Sequence, residues 1–262
     1  MRAETLRPEP FQEILRRTPL VYQPLGTIEW HGQHLPIGND ALKAHGICLR
    51  AAELTGGVVM PPLYWGVDAL RARNGEWFEG MDAAAGFELP GSIYRLSYET
   101  FEALIEEMLV EIFRQGVRVV VLLTGHNARV QEAIIRCVAE RVNGARPDRY
   151  VWALSEYEPV RPDLIPDAGD HAAKWETSLM MAFHPEWVDM SRLPAEGELL
   201  AIGGMDPRTE ASVEYGERGV ELVAQQIAQR VKELLARYAP EGWQEEASGT
   251  PLMVDVSAHK NA

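Results

Sequence analysis

Thiols are nearly absent from this 262-residue chain: Cys48 and Cys137 are the only two. Each lies in a helix-like stretch, so a disulfide framework and a zinc–thiolate site are both excluded. Long apolar runs are missing too. None approaches the roughly 18 to 20 residues that span a bilayer, and residues 1–19 alternate charged and apolar side chains, without the continuous apolar core of a signal peptide. Basic charge is scarce, 25 Lys and Arg against 39 Asp and Glu, for a net charge of −14. Such a surface repels phosphate backbones and anionic lipid, which argues against nucleic-acid and membrane-surface roles. Three catalytic signatures are also lacking: the G-x-S-x-G nucleophile elbow, the G-x-x-x-x-G-K-[ST] phosphate loop and H-E-x-x-H. These absences leave a cytoplasmic protein with a small-molecule partner as the expectation.

What is present is an alternation of helix-like and strand-like segments, with 46% hydrophobic residues to build a core. From Glu99 to Gln115, apolar residues fall at Phe101, Leu104, Ile105, Met108, Leu109, Ile112 and Phe113, one helix face, with Gly116 as a stop. Val117 to Leu123 follows as a β-branched run suited to a strand buried on both faces. After Thr124-Gly125-His126-Asn127 a second amphipathic helix carries Val130, Ala133, Ile134, Cys137 and Val138 inward. Asn143-Gly144 then reads as a turn, and Tyr150 to Leu154 as another strand. The same grammar places strands at Val21 to Leu25 and Val58 to Met60, a helix from Asp40 to Leu54, and a closing helix from Val220 to Tyr238. Tyr64 to Pro90 shows neither period and reads as a long functional or assembly loop. The expected fold class is α/β, a three-layer α/β/α sandwich with a mostly parallel central sheet. The expected organisation is one catalytic domain over residues 1–240 and a polar tail over 241–262.

Ligands of open α/β sheets bind outside the carboxyl ends of the strands. The first strand is followed by Glu29, Trp30, His31 and His34, then Asp40. The middle strand is followed by His126 and Asn127, and the strand at Val151 by a loop ending in Asp170-His171, with Glu176 opening the next helix. Glu29 and His31 are two residues apart and project to one side of an extended segment. Mixed imidazole and carboxylate donors suit zinc, manganese or iron. Glu29, His31, Asp40, His126 and Glu176 exceed the three protein ligands of a mononuclear catalytic zinc. The surplus points to two divalent ions sharing a bridging carboxylate, an arrangement that activates water and polarises a carbonyl. His34 and His45 lack this convergence and read as structural. Tryptophans near the rim, Trp175 among them, are candidates to stack on a flat ligand.

The residues that carry this pattern resemble the creatininase (creatinine amidohydrolase) family. Pro24-Leu25-Gly26-Thr27-Ile28-Glu29-Trp30-His31-Gly32-Gln33-His34-Leu35-Pro36, with Asp40 beyond, is similar to its P-x-G-S-x-E-Q-H-G-P-H-L-P…D signature. Thr124-Gly125-His126-Asn127 resembles its N-G-H-G-G-N segment, and His171 to Ser178 its H-A-G-x-x-E-T-S block. Pro90-Gly91-Ser92-Ile93 is similar to its P-G-T-I stretch. The resemblance implies a hydrolase whose first ion is held by Glu29, Asp40 and His126 and whose second is held by His31, Asp40 and Glu176, Asp40 bridging. It also implies His171 as the proton-handling residue, so His171 and Glu176 are the expected catalytic pair, and it implies a homo-oligomer, a hexamer of three dimers.

The chain departs from creatininase itself at positions that touch substrate. Ala128 stands where a glutamate follows the motif histidine, Asn127 replaces an aromatic residue, and Asp167 replaces a tryptophan. Trp30 and Thr124 also differ from the usual motif. Creatinine is therefore not the expected substrate, and Asn127, Asp167 and Trp175 are the expected substrate contacts. Other members of the family open a formyl amide, trim a modified peptide at its C-terminus or cleave a C–C bond of a cyclic diketone from inositol catabolism. The expectation is hydrolysis of a small amide-like carbonyl compound, with C–C cleavage of a cyclic polyol diketone as the alternative. A non-catalytic metal-binding relative is the reading from another class; it predicts lost ligand positions, yet all five are present.

Overall fold

The computed structural model describes residues 1–93 and 95–240; the expected tail, 241–262, lies outside the described residues. Four strands, β1 (Leu20–Leu25), β2 (Val58–Val59), β5 (Val119–Thr124) and β6 (Tyr150–Ser155), form a parallel sheet in the order β2-β1-β5-β6. Between them in the chain, β3 (Leu70–Arg73) and β4 (Glu76–Glu79) make a separate antiparallel hairpin. The helices are α1 (Pro8–Arg17), α2 (Asn39–Thr55), α3 (Asp82–Ala85), α4 (Tyr98–Arg114), α5 (Arg129–Ala145), α6 (Lys174–Phe183), α7 (Pro207–Glu210) and α8 (Val213–Tyr238).

The sheet side chains alternate between two cores. Leu20, Tyr22, Val119, Val121, Leu123 and Leu154 pack with apolar residues of α2, α6 and α8. Val21, Leu25, Val120, Leu122, Val151 and Ala153 pack with those of α1, α4 and α5 on the other face. That is the three-layer α/β/α arrangement, and it explains why the strands read as continuous apolar runs: parallel strands are covered on both sides.

Three stretches differ from the sequence reading. The Tyr64 to Pro90 segment contains the β3–β4 hairpin, turned at Asn74-Gly75, whose φ angles are 54° and 83°. Asn-Gly is the favoured pair for a tight two-residue hairpin turn. Every residue of β3 is exposed, so no apolar alternation announces the strand. The second difference is Asn143-Gly144, which continues α5 instead of turning. Asn143 is held there because its side chain pairs with the edge strand: Nδ2 donates to the Val151 carbonyl at 2.9 Å, and Oδ1 accepts from the Val151 N–H at 2.7 Å. The third is the closing helix, which starts at Val213, earlier than the expected Val220, after Ser212, whose side chain accepts from the Tyr215 N–H.

Leu25, Thr124 and Ser155 are neighbours in register at the carboxyl edge of the sheet. Directly after two of them stand Gly26 and Gly125, and the start of α2 lies against both. A Cβ on Gly125 would sit 2.1 Å from the Asp40 carbonyl oxygen, and one on Gly26 2.3 Å from the Ala41 nitrogen. Backbone approach that close admits only glycine. We expect Gly125→Ala to displace the first turn of α2 and cost about 3 kcal/mol, the scale of a clash that rigid backbone must relieve. Chemical unfolding would measure the loss, and an unchanged midpoint would contradict the packing described.

Candidate metal centre

Five side chains named from the sequence meet at this edge, all buried: Glu29, His31, Asp40, His126 and Glu176. Glu29 and His31 come from the segment after β1, Asp40 from the first turn of α2, His126 from the β5–α5 connection and Glu176 from the first turn of α6. Asp40 stands in the middle. Its Oδ1 lies 3.0 Å from His31 Nε2 and its Oδ2 3.1 Å from His126 Nδ1. Glu29 Oε1 is 2.8 Å from the same His126 nitrogen, and Glu176 Oε2 is 3.4 Å from His31 Nε2.

The orientation of each imidazole is set from behind. His31 Nδ1–H donates to the Glu29 carbonyl at 3.2 Å, and His126 Nε2–H donates to the Val67 carbonyl at 3.1 Å. A carbonyl only accepts, so these nitrogens carry the protons, and the opposite nitrogens face the carboxylates. Donor atoms of His31, Asp40 and Glu176 lie within 4.8 Å of one another, as do those of Glu29, Asp68 and His126. Imidazole nitrogens with carboxylate oxygens, and no thiolate, form a donor set for borderline divalent cations. The residues present therefore fit the metal that the sequence implies.

Charge balance explains how the ligands coexist. Burial disfavours the charge on His31 and His126, but the Asp40, Glu176 and Glu29 carboxylates outweigh it, raising His31 to about 9 and His126 well above its usual value. Burial also pushes the carboxyls of Glu29 and Asp40 up; the facing histidines, joined by Lys43 at Asp40, hold both below the usual range. Both imidazoles are thus protonated near neutrality, and a cation must displace those protons to bind. We expect metal uptake at pH 7 to release protons and apparent affinity to rise with pH towards 9. Titration calorimetry in buffers of different ionisation heat would show it; a buffer-independent heat would contradict the protonation described.

His171 lines the cavity beside these ligands. Its Nε2–H donates to the Trp30 carbonyl at 2.9 Å, which leaves Nδ1 free to accept, and its ring packs at 4.6 Å from that of His31. Burial, then the neighbouring His31 charge, lowers its pKa, so the ring is neutral at pH 7. Asn127 also lines the cavity. The other two expected substrate contacts lie elsewhere. Trp175 is fully buried, with its indole N–H donating to Glu156 Oε1 at 3.2 Å. Asp167 pairs with Lys174 at 2.7 Å, and neither it nor Trp175 is among the residues lining the cavity. His34 is tied to Thr177 Oγ1 at 2.9 Å, and His45, buried on α2, belongs to none of the donor groups among the described residues.

Three residues of the site, Lys43, Glu156 and Asp68, escaped the sequence reading, and a fourth, Asp170, was read only as part of a loop end. Lys43, one turn beyond Asp40 and fully buried, reaches Asp40 Oδ1 at 3.5 Å and Glu156 Oε1 at 3.2 Å and forms a close ion pair with Glu176. Glu156, the residue directly after β6, is fully buried; burial above all raises its carboxyl to about 7 despite Lys43. Asp170 receives the N–H groups of Trp175 and Glu176 at 2.6 and 3.2 Å, fixing the turn that presents Glu176. Asp68 approaches His126 Nε2 at 3.7 Å. The signal for Glu156 was its place at a strand end. That for Lys43 was a lysine among Ala44, Ile47 and Cys48 on an otherwise apolar face of α2.

Residues 4–231 match the family Creatininase, described as creatinine amidohydrolase, and the chain belongs to that family. Creatinine amidohydrolase of Pseudomonas putida is 29% identical over 239 residues, covering 80% of this chain and 87% of that protein. The mycofactocin precursor peptide peptidase of Mycolicibacterium smegmatis is 29% identical over 184 residues, covering 67% of this chain and 62% of that protein. A mutant creatininase solved in a Zn–Zn form superimposes with a TM-score of 0.69 at 26% identity, covering 88% of this chain and 97% of that one. The fold class read from the sequence agrees with these neighbours. Among the described residues, no helix is long and apolar enough to cross a membrane.

Proposed function

We propose that this chain is a metal-dependent amidohydrolase with two divalent ions per subunit, acting on a small cyclic or linear amide other than creatinine. One observation carries the reading: a single buried carboxylate, Asp40, turns one oxygen to His31 and the other to His126. A bridging ligand between two ions needs that division. Glu29, Asp40 and His126 would hold one ion, and His31, Asp40 and Glu176 the other. Bound there, the pair supplies Lewis acidity to a substrate carbonyl and lowers the pKa of water.

The chain's own groups handle the rest. His171 Nδ1 accepts a proton from the attacking water and returns it to the departing nitrogen, a role for which a neutral imidazole held by the Trp30 carbonyl is suited. The carbonyl carbon gains the oxygen of water, the C–N bond breaks, and the nitrogen leaves with the proton. Asn127 lies at the wall where the substrate would rest. Assembly as a homo-oligomer in the cytoplasm goes with this reading as an inference from the family.

Elemental analysis of protein purified without chelator, together with a screen of lactams, formamides and N-acyl amino acids, tests the proposal. About two ions per chain, and amide hydrolysis that chelation abolishes and zinc or manganese restores, would support it. Protein that stays metal-free after resupply would refute it. Turnover of keto-inositols with no amide hydrolysis would replace C–N by C–C cleavage.

A further inference from the structure

The cavity over the candidate metal centre, about 130 Å³ and open to solvent, is walled on one side by the candidate metal ligands. On the other stand β3, which contributes Arg71, and the turn directly after β4, which contributes Gly80 and Met81. Nearly all of the charge facing the cavity is carboxylate, and two bound divalent ions would offset it. Arg71 is different. It is exposed to the cavity, and its guanidinium makes no hydrogen bond or ion pair with any described residue. Its strand neighbour Arg73, by contrast, donates to the Ala83 carbonyl at 3.0 Å.

A second group in the same cavity is also unmatched. Asn127 Nδ2 donates to Glu156 Oε1 at 3.1 Å, which fixes the orientation of the amide. The opposite atom, Asn127 Oδ1, is buried and has no hydrogen-bond partner. A buried acceptor left without a donor is costly, and the residue that carries it lines this cavity.

These two vacant groups name complementary features. A free acceptor calls for an N–H, and a free guanidinium calls for a planar anion, for which its forked donors are shaped. We propose that the substrate is an anionic amide, in which the scissile carbonyl's N–H meets Asn127 Oδ1 and a carboxylate on the same molecule meets Arg71. N-acyl amino acids and carboxylated lactams are the chemical class. The proposal rests on the metal-dependent reading above and makes Arg71, on a hairpin outside the central sheet, the residue that sets substrate charge.

Hydroxamates supply the test, because they chelate divalent ions without being turned over. A series of ω-carboxyalkyl hydroxamates with spacers of one to four methylenes would be titrated calorimetrically into the metal-loaded protein. Each would be matched with the neutral analogue in which a carboxamide replaces the carboxylate. Metal content is measured on the same samples. For at least one spacer the carboxylate should bind at least about tenfold more tightly, the scale of a charge-assisted pair. Arg71→Met should abolish the preference while leaving the neutral analogue's affinity unaltered, and Arg71→Lys should keep part of it. Arg230→Met, an equal charge change on α8, should leave the preference intact.

A metal-loaded protein that binds every carboxylate and its neutral partner alike would overturn the role of Arg71 and leave the hydrolase reading standing. A preference that survives Arg71→Met would overturn it equally. Protein that retains no metal and binds no hydroxamate would overturn the metal-dependent reading and this proposal with it.

Discussion

Asp40→Ala is expected to remove both ions at once, taking metal content from about two per chain to near zero. In the proposed arrangement the other four residues would each hold one ion, so loss of any one should spare the opposite ion. Asp40 would serve both, its Oδ1 lying towards His31 and its Oδ2 towards His126. Even residues that only orient a ligand cost about 10- to 100-fold in metal affinity when mutated, so the central ligand should cost more on both sides. Elemental analysis of the purified variant decides the matter. Retention of one full equivalent would show that Asp40 does not bridge, and retention of two would remove it from the site. Glu29→Gln and Glu176→Gln are the companions, each expected to leave about one ion.

Lys43→Met should be strongly destabilising. Its ammonium is fully buried and contacts three carboxylates, Asp40, Glu156 and Glu176, each from a different element. Removing one partner of a buried ionic cluster leaves charge without compensation and costs about 3 to 5 kcal/mol. The loss should be greatest in the metal-free protein, where no divalent ion takes over the carboxylates. Lys43→Met combined with Glu156→Gln should recover much of the loss, since the pair is then replaced by neutral groups of similar size. Urea unfolding in the presence of a chelator would measure all three proteins. Equal stability of Lys43→Met and the parent would show that the lysine does not hold these carboxylates.

The parts of the site that the sequence made legible share one property: they follow apolar strands that are easy to find. VVVLL announces β5, and the strand-end rule then leads to His126. The same rule applied to Tyr150–Ser155 leads directly to Glu156, whereas the motif resemblance lies farther along, at Asp170-His171. Lys43 was hidden for a different reason. A lysine in a helix is ordinarily a solvated residue, and only its position on the inward face of α2, beside Ala44 and Ile47, marks it as buried. The β3–β4 hairpin carried the Asn74-Gly75 signal but no alternation, because neither of its faces packs on the core. Arg71 and Asp68 could not be placed without it. Trp175 and Asp167 show the converse. They occupy positions next to the motif, yet α6 turns the indole inward beneath Gly219 of α8, and Lys174 takes up the carboxylate.

The register of the parallel sheet has a kinetic consequence. The contacts that complete the centre close very long loops, with 86 residues between Asp40 and His126 and 133 between Lys43 and Glu176. Parallel pairing and loops of that size are slow to form. None of the ligand pairs from different strand ends can meet until β1 and β5 lie side by side and α6 has docked on α8. Metal capture would then be among the last events of folding, a signature of the finished molecule. In refolding experiments, uptake of a chromogenic ion should trail the change in tryptophan fluorescence, and its rate should not depend on ion concentration.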